Sequence, residues 1–252
     1  MFQEPSRIPP TAPRSRGVAT RPQGRIGSEM VQYQPFIDLC SGRRLGAEAV
    51  ERNFHNGDPR RANGREDAIL RLACVEAAEW DCGIIAVNMS SRQLRGGRIL
   101  EQIGAALEAS GLAPERLEIE LSETVLTEID LDTLLTLSII RDLGPGIVLD
   151  DFGTGMASLR MLKRLPLTGL KLDVSLLRDL PDSTEDAAIA RAVIAAAHAL
   201  GLLVSAAGIE SDGQREALAN FGCDAGQGPL FLDIPRLGRG FAEIGGRRIQ
   251  PT

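Results

Sequence analysis

The sequence predicts an α/β barrel, and three observations carry that reading. From Met30 onward, short apolar runs alternate with amphipathic stretches of helical period, the pattern of a mainly parallel sheet with outer helices. Each run but the seventh closes on a polar residue. The fifth run, 146–149, passes straight into Asp150 and Asp151 and then the turn Phe152-Gly153-Thr154-Gly155. In such a barrel the C-terminal strand ends form the chemical face.

The elements follow in order. Strand one is expected near 31–36 and carries Gln34. Strand two, near 45–50, presents Glu48 and then Arg52. Strand three, Gly83 to Asn88, ends on Asn88. Strand four, Leu117 to Glu123, offers Glu120 and Glu123. Strand five gives Asp150 and Asp151, and strand six, Gly169 to Asp173, gives Lys171 and Asp173. Strand seven, near 202–207, ends on Ala207, with Glu210 beyond it. Strand eight is short and is followed by Gln227. Helices are expected over 66–80, 96–110, 131–142, 155–164, 183–200 and 211–220. The helix at 183–200 starts among Asp182, Ser183, Glu185 and Asp186, which suits a helix N-terminus.

Two adjacent carboxylates at a strand end suit a pair of divalent metals, because one can bridge both ions while the other binds one. Taken alone, they fit a capping turn ahead of a helix equally well. The group decides between these readings. Glu48, Glu120, Asp150 and Asp151 at neighbouring strand ends would repel one another without cations.

Composition sets further bounds. The chain has 252 residues and a formal net charge of −6. Residues 1–28 are rich in Pro, Arg, Gly and Ser and read as a disordered basic tail. The barrel domain is expected over 29–240 and a C-terminal tail over 241–252. The leader carries about +4 and the rest about −10, which argues against a general nucleic-acid surface. A phosphate-bearing ligand must then be held by metals and a few local cations. Only two lysines occur, Lys163 and Lys171, so a lysine inside an apolar strand stands out. Four cysteines, at 40, 74, 82 and 223, lack metal-type spacing and read as small core residues in a reducing compartment. Two histidines exclude a multi-histidine metal site, and His198 reads as structural. The N-terminus lacks the apolar stretch of a signal peptide. The apolar span 187–209 is broken by Arg191, His198 and Gly201, so it reads as a helix followed by a strand. A cytoplasmic location is expected.

As an ordered set, Tyr33-Gln34-Pro35, Gly46-Ala47-Glu48-Ala49-Val50 with Arg52, Val87-Asn88, Glu120-Leu121-Ser122-Glu123, Asp150 to Gly155, Leu170-Lys171-Leu172-Asp173 and Gln227-Gly228 resemble the EAL domain, a family of cyclic di-GMP phosphodiesterases and their degenerate relatives. The resemblance runs from about Met30 to about Pro235. It implies a TIM-like (β/α)8 barrel of EAL type, with one helix-loop unit trimmed after the second strand, since the stretch from Asn53 to Gly64 is short for the family. It implies that Glu48, Asn88, Glu120 and Asp150 hold a first Mg²⁺ or Mn²⁺ and that Asp151 belongs to a second metal, with Asp150 between them. Lys171 then serves the attacking water or phosphate charge, and Gln227 orients the site. Gln34, Arg52 and Asp173 fall at ligand-binding positions, and Glu123 anchors the loop after strand five.

One position departs from the family. Its strand-seven glutamate falls 36 positions after the lysine, at residue 207, where this chain reads Ala206-Ala207-Gly208-Ile209-Glu210. The loss weakens the second metal position. The expectation is a degenerate EAL domain that binds cyclic di-GMP with impaired hydrolysis. The alternatives are an active or weakly active phosphodiesterase yielding linear pGpG, and a nucleotide-independent interaction module in signalling. A protein partner and a homodimer stay open beside them.

Overall fold

The structure, a computed structural model, describes residues 31–51, 62–80, 83–155 and 159–232. Eight strands close into one barrel in the order of the chain. They are β1 (Val31–Asp38), β2 (Arg44–Glu51), β3 (Ile84–Met89), β4 (Leu117–Ser122), β5 (Gly146–Phe152), β6 (Gly169–Leu172), β7 (Leu203–Ala206) and β8 (Ala225–Gly226). All eight lie where the apolar runs place them.

The sheet is not parallel throughout. β1 runs antiparallel to both β2 and β8, while the other neighbours pair in parallel. The reason lies in chain length. Only five residues, 39–43, separate β1 from β2. A parallel crossover takes a dozen or more, so the chain can only fold back. Asp38 closes this turn by accepting the amides of Cys40 and Ser41.

Seven helices flank the strands among the described residues: α1 (Ala62–Ala78), α2 (Ser91–Arg95), α3 (Ile99–Ser110), α4 (Leu131–Asp142), α5 (Leu159–Leu162), α6 (Thr184–Ala199) and α7 (Asp212–Phe221). The helix expected over 96–110 is α3, which starts only at Ile99; the short α2 precedes it, and Gly96-Gly97 separates the two. Within the expected 155–164 helix, α5 covers 159–162, and residues 156–158 lie outside the described residues. Local chemistry fixes several starts. Ser90 and Ser211 each form a reciprocal capping box with the glutamine three residues on, and Asp130 and Ser183 cap α4 and α6. Such caps satisfy amides that have no partner in the first turn.

The strands divide the protein into two environments. On β4, Leu117, Ile119 and Leu121 face outward into the layer under the helices, while Glu118 and Glu120 alternate with them and face in. The apolar core is therefore that outer layer. One cluster joins β1–β5 to α1, α3 and α4, and the other joins β1 and β5–β7 to α5, α6 and α7. Ile99, Ile103 and Ala106 of α3, and Ala190, Ile194 and Ala197 of α6, are the buried stripes expected at helical spacing. Cys74 and Cys223 lie in this core as expected, but Cys40 is exposed on the β1–β2 turn. His198 is structural: its Nε2 lies 2.8 Å from Asp224 Oδ2, and the same oxygen accepts the Val204 amide at 2.8 Å. No described helix is long and apolar enough to cross a membrane. Both tails, Arg52 and the shortened stretch after it lie outside the described residues, apart from the start of α1 at Ala62.

Arg116, just ahead of β4, binds three carbonyls at the end of α1 and beyond. It donates to Ala77 O at 2.8 Å, Trp80 O at 3.4 Å and Gly83 O at 2.8 Å. The first two lie where a helix runs out of internal donors, and the third immediately precedes β3. Arg116→Met should cost about 2 kcal/mol, the scale of hydrogen bonds from a charged group. Urea unfolding measures it, and an unchanged midpoint would mean that water replaces the guanidinium without penalty.

Candidate functional site

At the C-terminal end of the barrel, four strands send charged side chains to one point. Lys171 on β6 donates from Nζ to Glu48 Oε2 on β2 at 3.0 Å, Glu120 Oε2 on β4 at 2.9 Å and Asp150 Oδ2 on β5 at 3.0 Å. Strand pairing sets this up: Glu120 lies beside Asn88 of β3, and Gln34 of β1 lies opposite Glu48. The Lys171 and Glu120 side chains are only 4% and 1% exposed. Asn88 donates through its amide to Glu48 Oε1.

Charge sets the behaviour of the cluster. Burial disfavours the Lys171 ammonium, but the Glu120, Glu48 and Asp150 carboxylates outweigh it and raise the lysine above its ordinary range. Burial pushes Glu120 up, Lys171 draws it down, and Glu48 and Asp150 push it up again; the carboxyl ends well above its ordinary value. Glu48 also suffers burial, yet the Lys171 charge and bonds to Lys171, Asn88 and Gln227 bring it below the usual range. One ammonium thus faces three carboxylates.

Asp150 and Asp151 reach the same cavity by a local irregularity. Consecutive strand residues face opposite sides of a sheet, so a regular β5 would turn Asp151 into the helix layer. Instead the β5–β6 register breaks between Leu149 and Phe152, and Asp151 adopts φ +57°. That conformation is uncommon outside glycine and is better tolerated by Asp than by most residues. Leu149 and Phe152 stay in the outer core on either side, while both aspartates line the cavity. The Asp151 amide donates to Asp150 Oδ1 at 2.8 Å. Burial, then Asp150 and Asp173, raise the Asp151 carboxyl above its ordinary value.

The cavity measures about 320 Å³ and is lined by Gln34, Glu48, Asp150, Asp151, Lys171, Ala207 and Gln227, among others. Gln227 is buried; its amide nitrogen donates to Gln34 O at 3.4 Å, and its backbone joins Ala206 and Ile209. Glu123 is buried beneath the loop after β5, where its Oε2 accepts the Thr154 amide at 3.1 Å and the Thr154 hydroxyl at 2.8 Å. Asp173 is not among the lining residues. Its Oδ1 accepts the Ser175 amide at 2.9 Å and caps the turn that follows. Ala207 lines the cavity with a methyl group, and its amide donates to Leu172 O. Glu210 is exposed and does not line the cavity.

Oxygens of Glu48, Glu120 and Asp150 lie within 4.8 Å of one another. Three hard carboxylate oxygens with surplus negative charge fit a hard divalent cation. Lys171 supplies a positive charge at the same three groups. Lys171→Met should therefore destabilise the metal-free protein by roughly 3–5 kcal/mol at neutral pH. The loss should shrink on acidification. A carboxyl raised in the folded state, such as Glu120, contributes stability below its unfolded pKa, and that contribution is lost as pH rises through the folded value. Urea unfolding in chelator at pH 5 and pH 7.5 tests this; an equal loss at both would show that the carboxylates are not coupled through Lys171.

Comparisons with known proteins agree with this geometry. The family model described as EAL domain matches residues 25–233. The cyclic di-GMP phosphodiesterase NbdA of Pseudomonas aeruginosa is 36% identical over 220 residues, which make up 80% of this chain and 28% of that protein. The chain thus spans less than a third of that relative's length. The structure of the PaMucR phosphodiesterase in complex with c-di-GMP superposes with a TM-score of 0.71 at 30% identity, covering 79% of this chain and 88% of that one. A manganese/cy-diGMP complex of Klebsiella pneumoniae BlrP1 gives 0.68 at 25% identity, covering 83% of this chain and 57% of that one. By its barrel, its converging acids and these matches, the chain belongs to the EAL domain family.

Proposed function

We propose that this chain is a degenerate EAL domain that binds cyclic di-GMP and hydrolyses it poorly. The observation that carries the reading is Ala207. It lines the cavity beside Asp150 and Asp151, at the position where the family's strand-seven glutamate stands. Glu210, the nearest acid downstream, is held elsewhere, because its amide donates to Gln214 Oε1 at 2.8 Å and its side chain is exposed.

Glu48, Glu120 and Asp150 would hold a first Mg²⁺ or Mn²⁺ with Asn88 beside them, and Asp151 would serve a second. A divalent ion there supplies charge neutralisation at a phosphate and a more acidic bound water. The chain's own groups do the rest. Lys171 places a fixed positive charge at the acid cluster, Gln227 orients Glu48, and Gln34 contributes to the wall. Arg52 is the proposed phosphate clamp, suited by its planar fork. Losing one carboxylate near the second ion removes negative charge and an orienting group for water. The intact cluster of Glu48, Glu120 and Asp150 favours slow hydrolysis to linear pGpG as the second reading.

Calorimetric titration with cyclic di-GMP, in Ca²⁺ and again in Mg²⁺ or Mn²⁺, separates the readings when the latter mixtures are assayed for linear product. Binding with little product is expected. Rapid turnover would return the chain to the active phosphodiesterases, and no binding in either buffer would leave a protein-interaction module. Ala207→Glu should raise hydrolysis roughly 10–100-fold. No gain in a folded, nucleotide-binding variant would place the defect elsewhere in the site.

A further inference from the structure

The short turn after β6 touches the loops on both sides of it. Residues 174–176 form a single 3₁₀ turn, capped by Asp173 and followed by the fully buried Leu177. On one side Leu176 lies over Gly153, in the loop that follows Asp151. A Cβ built on Gly153, whose φ is +117°, would meet Leu176 side-chain carbons at 2.5 and 2.7 Å. On the other side Val174 lies over Gly208, next to Ala207. A Cβ there, at φ +78°, would meet the Val174 side chain at 2.7 and 2.9 Å. Glycine is needed at both places because the backbone is left-handed and the neighbour is too close for any side chain.

Gln214 adds a polar tie between the same parts. It is 6% exposed. Its Nε2 donates to Leu177 O at 3.0 Å, and its Oε1 accepts the amides of Glu210 at 2.8 Å and Ser211 at 3.1 Å. One side chain thus joins the turn after β6 to the loop after β7. None of Val174, Leu176 and Gln214 lines the cavity.

We propose that Val174, Leu176 and Gln214 form a positioning brace. It fixes the loop carrying Asp151 against the loop carrying Ala207 and so sets the spacing across the ligand cavity. The inference rests on the proposed reading of that cavity as the metal and nucleotide site, but the brace itself is a property of the three loops. A disturbance on one side is felt on the other, because Leu176 and Val174 belong to one rigid turn.

Leu176→Ala tests this, with Leu176→Ile as the conservative control. Leu176 also packs against the outer core, but of the two glycine contacts the substitution removes only the one at Gly153. Hydrogen exchange should nevertheless rise about tenfold at the amides of Ala207, Ile209 and Glu210 as well as at Thr154. Affinity for Mn²⁺, read by calorimetry, should fall about tenfold, the scale for groups that support metal ligands from behind. Leu176→Ile should restore both. Faster exchange confined to 151–155 with unchanged Mn²⁺ affinity would overturn the brace, as would a lower Tm with neither amide set affected. Should Leu176→Ala fail to fold, Gln214→Glu takes its place. It keeps the acceptor that caps α7 and replaces the donor to Leu177 O with a carboxylate oxygen, which turns the tie into a repulsion. Faster exchange at Thr154 then supports the brace and unchanged exchange overturns it. A wild-type protein with no affinity for Mn²⁺ or cyclic di-GMP would end the nucleotide reading, while the exchange result would still decide the brace.

Discussion

The contact of Lys171 with Glu48, Glu120 and Asp150 is the constraint around which the barrel is organised. Its four members come from β2, β4, β5 and β6, so one ammonium ties half the strands together across the interior. Breaking a buried ion pair by removing one partner is far more damaging than never having built it. The barrel must therefore keep the lysine or replace its charge. This also explains the separation of environments: with the interior end given to charge, the apolar packing moves outward to the layer beneath the helices.

The second constraint is the break in β5. Two adjacent aspartates can face one cavity only if the strand stops alternating. The chain does this with Asp151 at positive φ and a register shift against β6. Bulges commonly re-aim a side chain beside a functional site. Here the shift leaves Leu149 and Phe152 anchored in the outer core, so the departure is confined to two residues. The loop beyond is held from below by Glu123 and from the side by Leu176. A conformation that strands avoid is thus fixed by its surroundings.

Much of this was legible in the sequence because the two faces of each strand differ in chemistry. Leu117-Glu118-Ile119-Glu120-Leu121 states both the strand and its inward side. Lys171 stood out because lysine is rare in this chain and its flanks are apolar. The direction of β1 was missed although the gap before β2 is too short for a crossover, and Gly96-Gly97 was a signal that the helix begins after residue 97. Ser211 and Gln214 had capping-box spacing, but nothing local could show that Gln214 also reaches Leu177. The backbone of Asp151, the three carbonyls under Arg116 and the contacts of Val174 and Leu176 arise from tertiary packing, which no local pattern encodes.

The direction of β1 has a consequence for where the chain enters and leaves the barrel. Because β1 runs against its neighbours, Val31 pairs with Glu51 at the far end of β2, on the face where the acids gather. Leu232, the last residue described, lines the cavity on that same face. Entrance to and exit from the described barrel therefore share one rim. The chain is thus joined to the barrel at the mouth of the pocket on both sides, and the barrel floor carries neither connection.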